Sequence, residues 1–441
     1  MANKNTYYDD ALPLIVESFV QYLGVEALQD HAILRDAEGS LTLILRKDIP
    51  SDIRRVLEIS IFNIVGTYAG SVGVGTPEEL FDESLADDIH DRWEFVKCSS
   101  GEYFVRMIER RLVGQDWLRD IQPSIPGVPP IVVFASHKGG VGRSTALSVA
   151  CAEFASRGKS ILAIDLDLEA PGLGGMFLPE GSIPEFGALD YYVENGRGNV
   201  DDNFLNRMVA VSPLTDGQGQ VMIVPAVGQR CYDFPQNVIG KLSRAYLEDI
   251  EPNGSKALTF LDQTRAMIQD LCRNGSYDAI FVDARAGLNE TTAATVQGLG
   301  ADVLFFGIDA PQTWEGYRYF LSHLARFKPE TSEDDWRFRI KMVHAKAAPD
   351  PKAWARFRDH AFELFADHLY DELGVDEADA ETSFSFDLDD STAPHYAWPI
   401  LVDPSYFEFD PLAKREQFAE PIYNRTFGPF LSALSDRLGF K

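Results

Sequence analysis

Apolar residues recur along the chain in two rhythms, and the switch between them divides it. Residues 9–24 (DDALPLIVESFVQYLG) carry apolar side chains at helical spacing and stop at Gly24, so they predict a helix. Residues 32–45 (AILRDAEGSLTLIL) read as strand, turn at Glu38-Gly39 and strand. Residues 51–70 predict a helix with Ser51 as N-cap, and 93–111 (WEFVKCSSGEYFVRMIERR) a second hairpin. These pieces predict a small α+β domain over residues 1–118. Residues 119–130 (RDIQPSIPGVPP) hold four prolines and a glycine, the composition of a stiff linker at a domain boundary.

Beyond it, short apolar strands alternate with amphipathic helices. IVVFAS (131–136), SILAIDLD (160–167), QVMIVPA (220–226), DAIFVDA (278–284), ADVLFFGID (301–309) and FRIKMVHA (338–345) read as strands. Residues 144–158, 256–275, 351–374 and 427–439 read as helices, and the acidic stretch 376–390 as a solvated loop. Alternation of this kind predicts an α/β fold with a doubly wound, mostly parallel sheet over 131–441.

With 441 residues, 45% of them hydrophobic, the chain can bury more than one core. The net charge of −28 aids solubility and argues against direct non-specific nucleic-acid binding. Four cysteines without a Cys-x-x-Cys pair argue against a zinc ribbon and fit reduced thiols in a cytoplasmic protein. No secretory signal is visible, and no apolar run approaches the roughly 20 residues of a transmembrane helix. His360, Glu363, Asp367 and His368 share a predicted helix and read as a solvated face rather than a metal site.

The chemistry concentrates in ASHKGGVGRSTALS, residues 135–148. It follows a predicted strand and opens a predicted helix. Gly139, Gly140 and Gly142 permit backbone angles that let successive N–H groups converge on an anion, and the helix adds its positive end. Ser144 is placed to ligate Mg²⁺ and Thr145 to reach an α-phosphate. Arg143 stands where such loops usually carry lysine.

Lys138-Gly139-Gly140-Val141-Gly142 resembles the deviant Walker A loop of the ParA/MinD group of P-loop ATPases. The resemblance extends to Asp165-Leu166-Asp167 at the end of the next strand and to YDAIFVDARAGLN around Asp283. More loosely it takes in residues 128–438, while 1–118 match nothing in that group. It implies ATP and Mg²⁺ as ligands and a homodimer formed on ATP. It also implies a catalytic role for Lys138 across the dimer, for Asp167 in orienting water and for Arg143 on phosphate. Asp165 and Asp283, with Ser144, would hold the metal. Ala286-Gly287 would sense the γ-phosphate, and Arg285 could touch phosphate or be solvated. No Asn-Lys-x-Asp or Thr-Lys-x-Asp guanine signature occurs, which favours adenine.

Arginine keeps the charge but is wide, planar and forked, so binding should survive better than turnover. The expectation is an ATPase, hydrolysing an acid anhydride slowly, that acts as a switch on a protein partner read by residues 1–118. Branches of this group serve bacterial signalling or defence. Two alternatives stand beside it: a nucleotide-binding scaffold without turnover and a DNA-partition type ATPase.

Overall fold

The structure is a computed structural model describing residues 6–89, 91–214, 218–250, 257–329, 335–372 and 383–440. The chain forms two compact units, Met1–Leu118 and Arg119–Lys441. Residues 119–130 thus belong to the second unit. Gln122 N–H donates to the Gln297 carbonyl and Gln297 Nε2 to the Arg119 carbonyl, so this stretch is bound down rather than free.

In the first unit a five-stranded sheet has the order 69–75, 41–44, 32–35, 101–109, 92–98. Helices Tyr8–Leu23 and Ser51–Val65 bury Ile15, Phe19, Leu57 and Ile61 in one cluster with Leu41, Leu43 and Val105 of the sheet. Two details depart from the pattern-based expectation. Ser51 is the first helical residue, with Pro50 as N-cap and no side-chain cap. The helix also stops at Val65, because Gly66 turns with φ +61°, and Ala69–Gly75 pairs in parallel with 41–44 as a strand.

Among the described residues the main sheet of the second unit has eight strands: β1 (Ile131–Ser136), β2 (Ser160–Asp165), β3 (Ala210–Val211), β4 (Gln220–Val224), β5 (Ala279–Asp283), β6 (Asp302–Gly307), β7 (Ile340–Ala347) and β8 (Trp398–Leu401). Their order is β8-β7-β6-β1-β5-β2-β4-β3, with every pairing parallel except β3–β4. This is the α/β, doubly wound, mostly parallel sheet that the apolar runs predict. Strands β1 and β5 are buried throughout, and β2 in all but its first residue, as central strands covered on both faces must be. Helices Arg143–Ser156 and Glu420–Leu438 contribute Leu147, Phe154, Phe430 and Leu434 to a cluster with Phe134 and Phe281 of the sheet. Residues 376–382 of the acidic stretch lie outside the described residues, and 383–390 run without helix or strand.

The order reverses at β1. Its connection leads through the helix Arg143–Ser156 to β2 on one side, while β6 lies on the other. In open parallel sheets the crevice at the carboxyl ends of strands flanking such a reversal is where ligands bind. The loop 137–142 stands there.

Candidate functional site

Loop 137–142 turns from β1 into the helix through two left-handed glycines, Gly140 at φ +74° and Gly142 at φ +98°. A Cβ on Gly139, Gly140 or Gly142 would meet nothing within 4 Å, so the loop rim is open space. Val141 is buried and pins the loop to the core, whereas Lys138 is exposed. Ser144 and Thr145 lie half-buried in the first helical turn. Loop and helix end thus have the open backbone geometry that an anion cradle would need.

Strand register assembles the carboxylates. Asp283 of β5 lies opposite Asp165 of β2 and opposite Phe134 of β1. The Ser144 hydroxyl donates to Asp283 Oδ2, joining the first turn of the helix to the end of β5. Asp167, two residues beyond Asp165, comes to the same place. The structure therefore brings together Arg143, Ser144, Asp165, Asp167 and Asp283.

Their roles divide unequally. Asp165 is wholly buried and spends both oxygens on backbone amides: Oδ1 accepts from Asp167 N at 3.1 Å, Oδ2 from Gly172 and Leu173 N at 3.0 Å each. These bonds shape the turn after β2. Asp283 Oδ1 and Asp167 Oδ1 are buried and accept no hydrogen bond.

Arg143 is the surprise. Its side chain is only 7% exposed and turns inward rather than toward the loop rim. Nη1 donates to Ser136 Oγ at 3.0 Å and Nη2 to Asp167 Oδ2 at 3.3 Å, and Nε lies 3.4 Å from Asp283 Oδ1. Its fork spans two carboxylates as a buried internal cation.

Even so, the acids are poorly compensated. Burial, and then the charge of Asp283, push the Asp165 carboxyl up to about 7. Burial pushes Asp283 up to about 6 against the pull of Arg143 and Ser144. Burial also raises Asp167, again opposed by Arg143. Carboxylates in this state accept a hard cation readily. Among the described residues no group of three or more His, Cys, Asp or Glu side chains forms a metal cage. A divalent ion would therefore be held by Asp283 and Ser144 and otherwise by phosphate and water, the usual habit of Mg²⁺. The orphaned oxygens fit such an ion. On the helix face carrying His360, the His360 Nδ1 lies 3.1 Å from Asp309 Oδ1.

The segment after β5 and residues outside the sequence motifs complete the rim. Gly287, at φ +92°, donates its N–H to the Ser136 carbonyl, tying the segment after β5 to β1. Arg285 Nη1 lies 2.5 Å from Glu169 Oε1, which also accepts from the Tyr246 hydroxyl at 2.8 Å. Arg285 is thus ion-paired rather than simply solvated, and the pair ties the loops after β2 and β5 together. Lys346, at the end of β7, donates to the Gly140 carbonyl at 2.7 Å. A basic residue at the carboxyl edge of a strand near β1 is the signal that could have marked it.

No protein-family model matches the chain, and no curated protein does. Solved structures do. The pNOB8 ParA bound to nonspecific DNA is 14% identical, with a TM-score of 0.41, over 71% of this chain and 98% of that one. The McdA–ATP complex of Cyanothece is 14% identical, with a TM-score of 0.40, over 71% and 97%. MinD of Aquifex aeolicus is 15% identical, with a TM-score of 0.39, over 70% and 97%. At these identities, and with TM-scores below 0.5, the likeness carries no argument about the chain's activity or site. The site is read from its own loop, register and donors.

Proposed function

We propose that the chain is an ATP-binding molecular switch that dimerises around Mg-ATP, hydrolyses it slowly and thereby controls a protein partner engaged by residues 1–118. The observation that supports this most is the juxtaposition of an open glycine loop with two orphaned carboxylate oxygens beside Ser144. The loop amides and the helix end would receive the phosphates. Ser144 and Asp283 would hold Mg²⁺, which neutralises charge on the β- and γ-phosphate oxygens when bound. Asp167 orients a water through Oδ1, the oxygen that Arg143 leaves unbonded. Lys138, exposed on the loop, would reach across to a second subunit. The net charge of −28 sets this chain against DNA as its partner.

A second reading, nucleotide binding without turnover, is favoured by one specific observation: Arg143 is committed to carboxylates rather than to the loop. Calorimetry with Mg²⁺ and ATP or GTP, followed by a steady-state phosphate-release assay, tests both. The switch predicts adenine-selective binding with slow phosphate release. The scaffold predicts binding alone, and absence of binding removes both.

A further inference from the structure

Because Arg143 is turned down onto Ser136, Asp167 and Asp283, the mouth of the loop receives no charge from its own helix at that position. Another cation from the same chain stands there. Lys346, 206 residues along the chain from Gly140, holds the Gly140 carbonyl at 2.7 Å. It is one of two non-glycine residues with positive φ among the described residues, at +51°, where the pairing of β7 with β8 shifts register between His344 and Ala347. A left-handed backbone is costly for lysine and persists only where surroundings hold it, and such irregularities re-aim side chains at the edges of sites. Lys346 is exposed, and an ammonium has three donors, so one bond to the carbonyl leaves two for a ligand. Arg285 is engaged by Glu169, and Lys138 projects from the other end of the loop.

We propose that Lys346 is a phosphate-binding residue that serves the loop within its own subunit, supplying the charge that Arg143 has withdrawn. The proposal rests on the nucleotide-binding reading above and extends it to the residue that recognises the polyphosphate. Its ligand class is a nucleoside polyphosphate, with contact strengthening as phosphates are added.

The test is calorimetry on the full chain with ATP, ADP and adenosine at one fixed salt concentration, for wild type, Lys346→Met and Lys346→Arg. Lys346→Met should weaken ATP about tenfold or more, ADP by less, and adenosine not at all. Lys346→Arg, which keeps the charge, should stay within about threefold of wild type for ATP. Equal losses for all three ligands would show a mere strut for the loop and overturn the proposal. So would unchanged ATP binding by Lys346→Met, or failure of arginine to substitute. Wild-type chain that binds none of the three ligands overturns the nucleotide reading itself, whereas wild type and Lys346→Met binding ATP equally overturn only the role of Lys346. Matching thermal transitions of the unliganded proteins exclude misfolding as the cause.

Discussion

If Arg143 is a resident cation, replacing it with methionine should exchange an internal charge for a metal requirement. The guanidinium lies 3.3 Å from Asp167 and 3.4 Å from Asp283. At an effective dielectric of about 20, each pair has a gross attraction of about 5 kcal/mol, most of it offset by desolvation. Breaking a buried pair by deleting one partner typically costs about 3–5 kcal/mol, because the remaining charge is stranded. Here two carboxylates are stranded, and proton uptake limits the loss by neutralising them. For a unit of this size the melting temperature should fall by roughly 10 °C. Mg²⁺ alone should then restore much of it: at a hundredfold excess over its dissociation constant a ligand returns about 2.7 kcal/mol. Wild type without nucleotide should gain less from Mg²⁺ than the variant does, since Arg143 already lies against both acids. Thermal unfolding of both proteins over a Mg²⁺ titration without nucleotide checks this. Equal melting temperatures, or a variant that gains no more from Mg²⁺ than wild type, would refute the view of Arg143 as counter-ion.

Three further outcomes follow from the same geometry. Asp283 is raised to about 6 in the folded protein, so it binds more protons folded than unfolded and its ionisation opposes folding as pH rises from about 4 through 6; Asp283→Asn should therefore gain melting temperature over wild type at pH 8, with the difference shrinking toward pH 4 in a buffer series. Asp167→Ala should still bind ATP but release phosphate at least about a hundredfold more slowly, the scale of losing a positioned base, as a coupled phosphate assay would show; unchanged release would remove Asp167 from the reaction. Lys138→Ala should bind ATP as a monomer and fail to dimerise, read by light scattering with ATP present, and a variant that still pairs would leave that lysine without its role across the interface.

What could be read from the chain before the structure was whatever is contiguous or fixed by strand ends. Residues 138–145 form their loop locally, because two left-handed glycines and a buried Val141 suffice to make the turn. The mostly parallel sheet was legible because strands buried on both faces are continuous apolar runs. Ala69–Gly75 escaped notice because its glycines resemble a helix end and its partner strand at 41–44 is distant in sequence. Strands β3 and β8, of two and four residues, are too short to carry a period. At the site, Asp165 and Asp283 were found as residues, yet register decided that they lie abreast, and the Gly172 and Leu173 amides decided that Asp165 faces the turn. Residue type alone could show that Arg143 differs from lysine. It could not show which way the guanidinium points, since that depends on two carboxylates from other strands.

The inward turn of Arg143 also explains why arginine and lysine are not interchangeable here. A guanidinium can address Ser136, Asp167 and Asp283 at once because its donors fan out in a plane, and all three contacts are present. An ammonium is a compact point charge that cannot span that fork. In a nucleotide-free chain it would leave at least one acid uncovered and be freer to follow phosphate. A lysine at 143 would thus favour turnover at the expense of the unliganded fold, whereas arginine secures the empty site. On the proposed reading, nucleotide and metal would have to displace a charge already seated against Asp283 before a metal ion could settle there. That displacement would be a barrier before any chemistry, and it is the physical reason to expect slow turnover on the proposed reading.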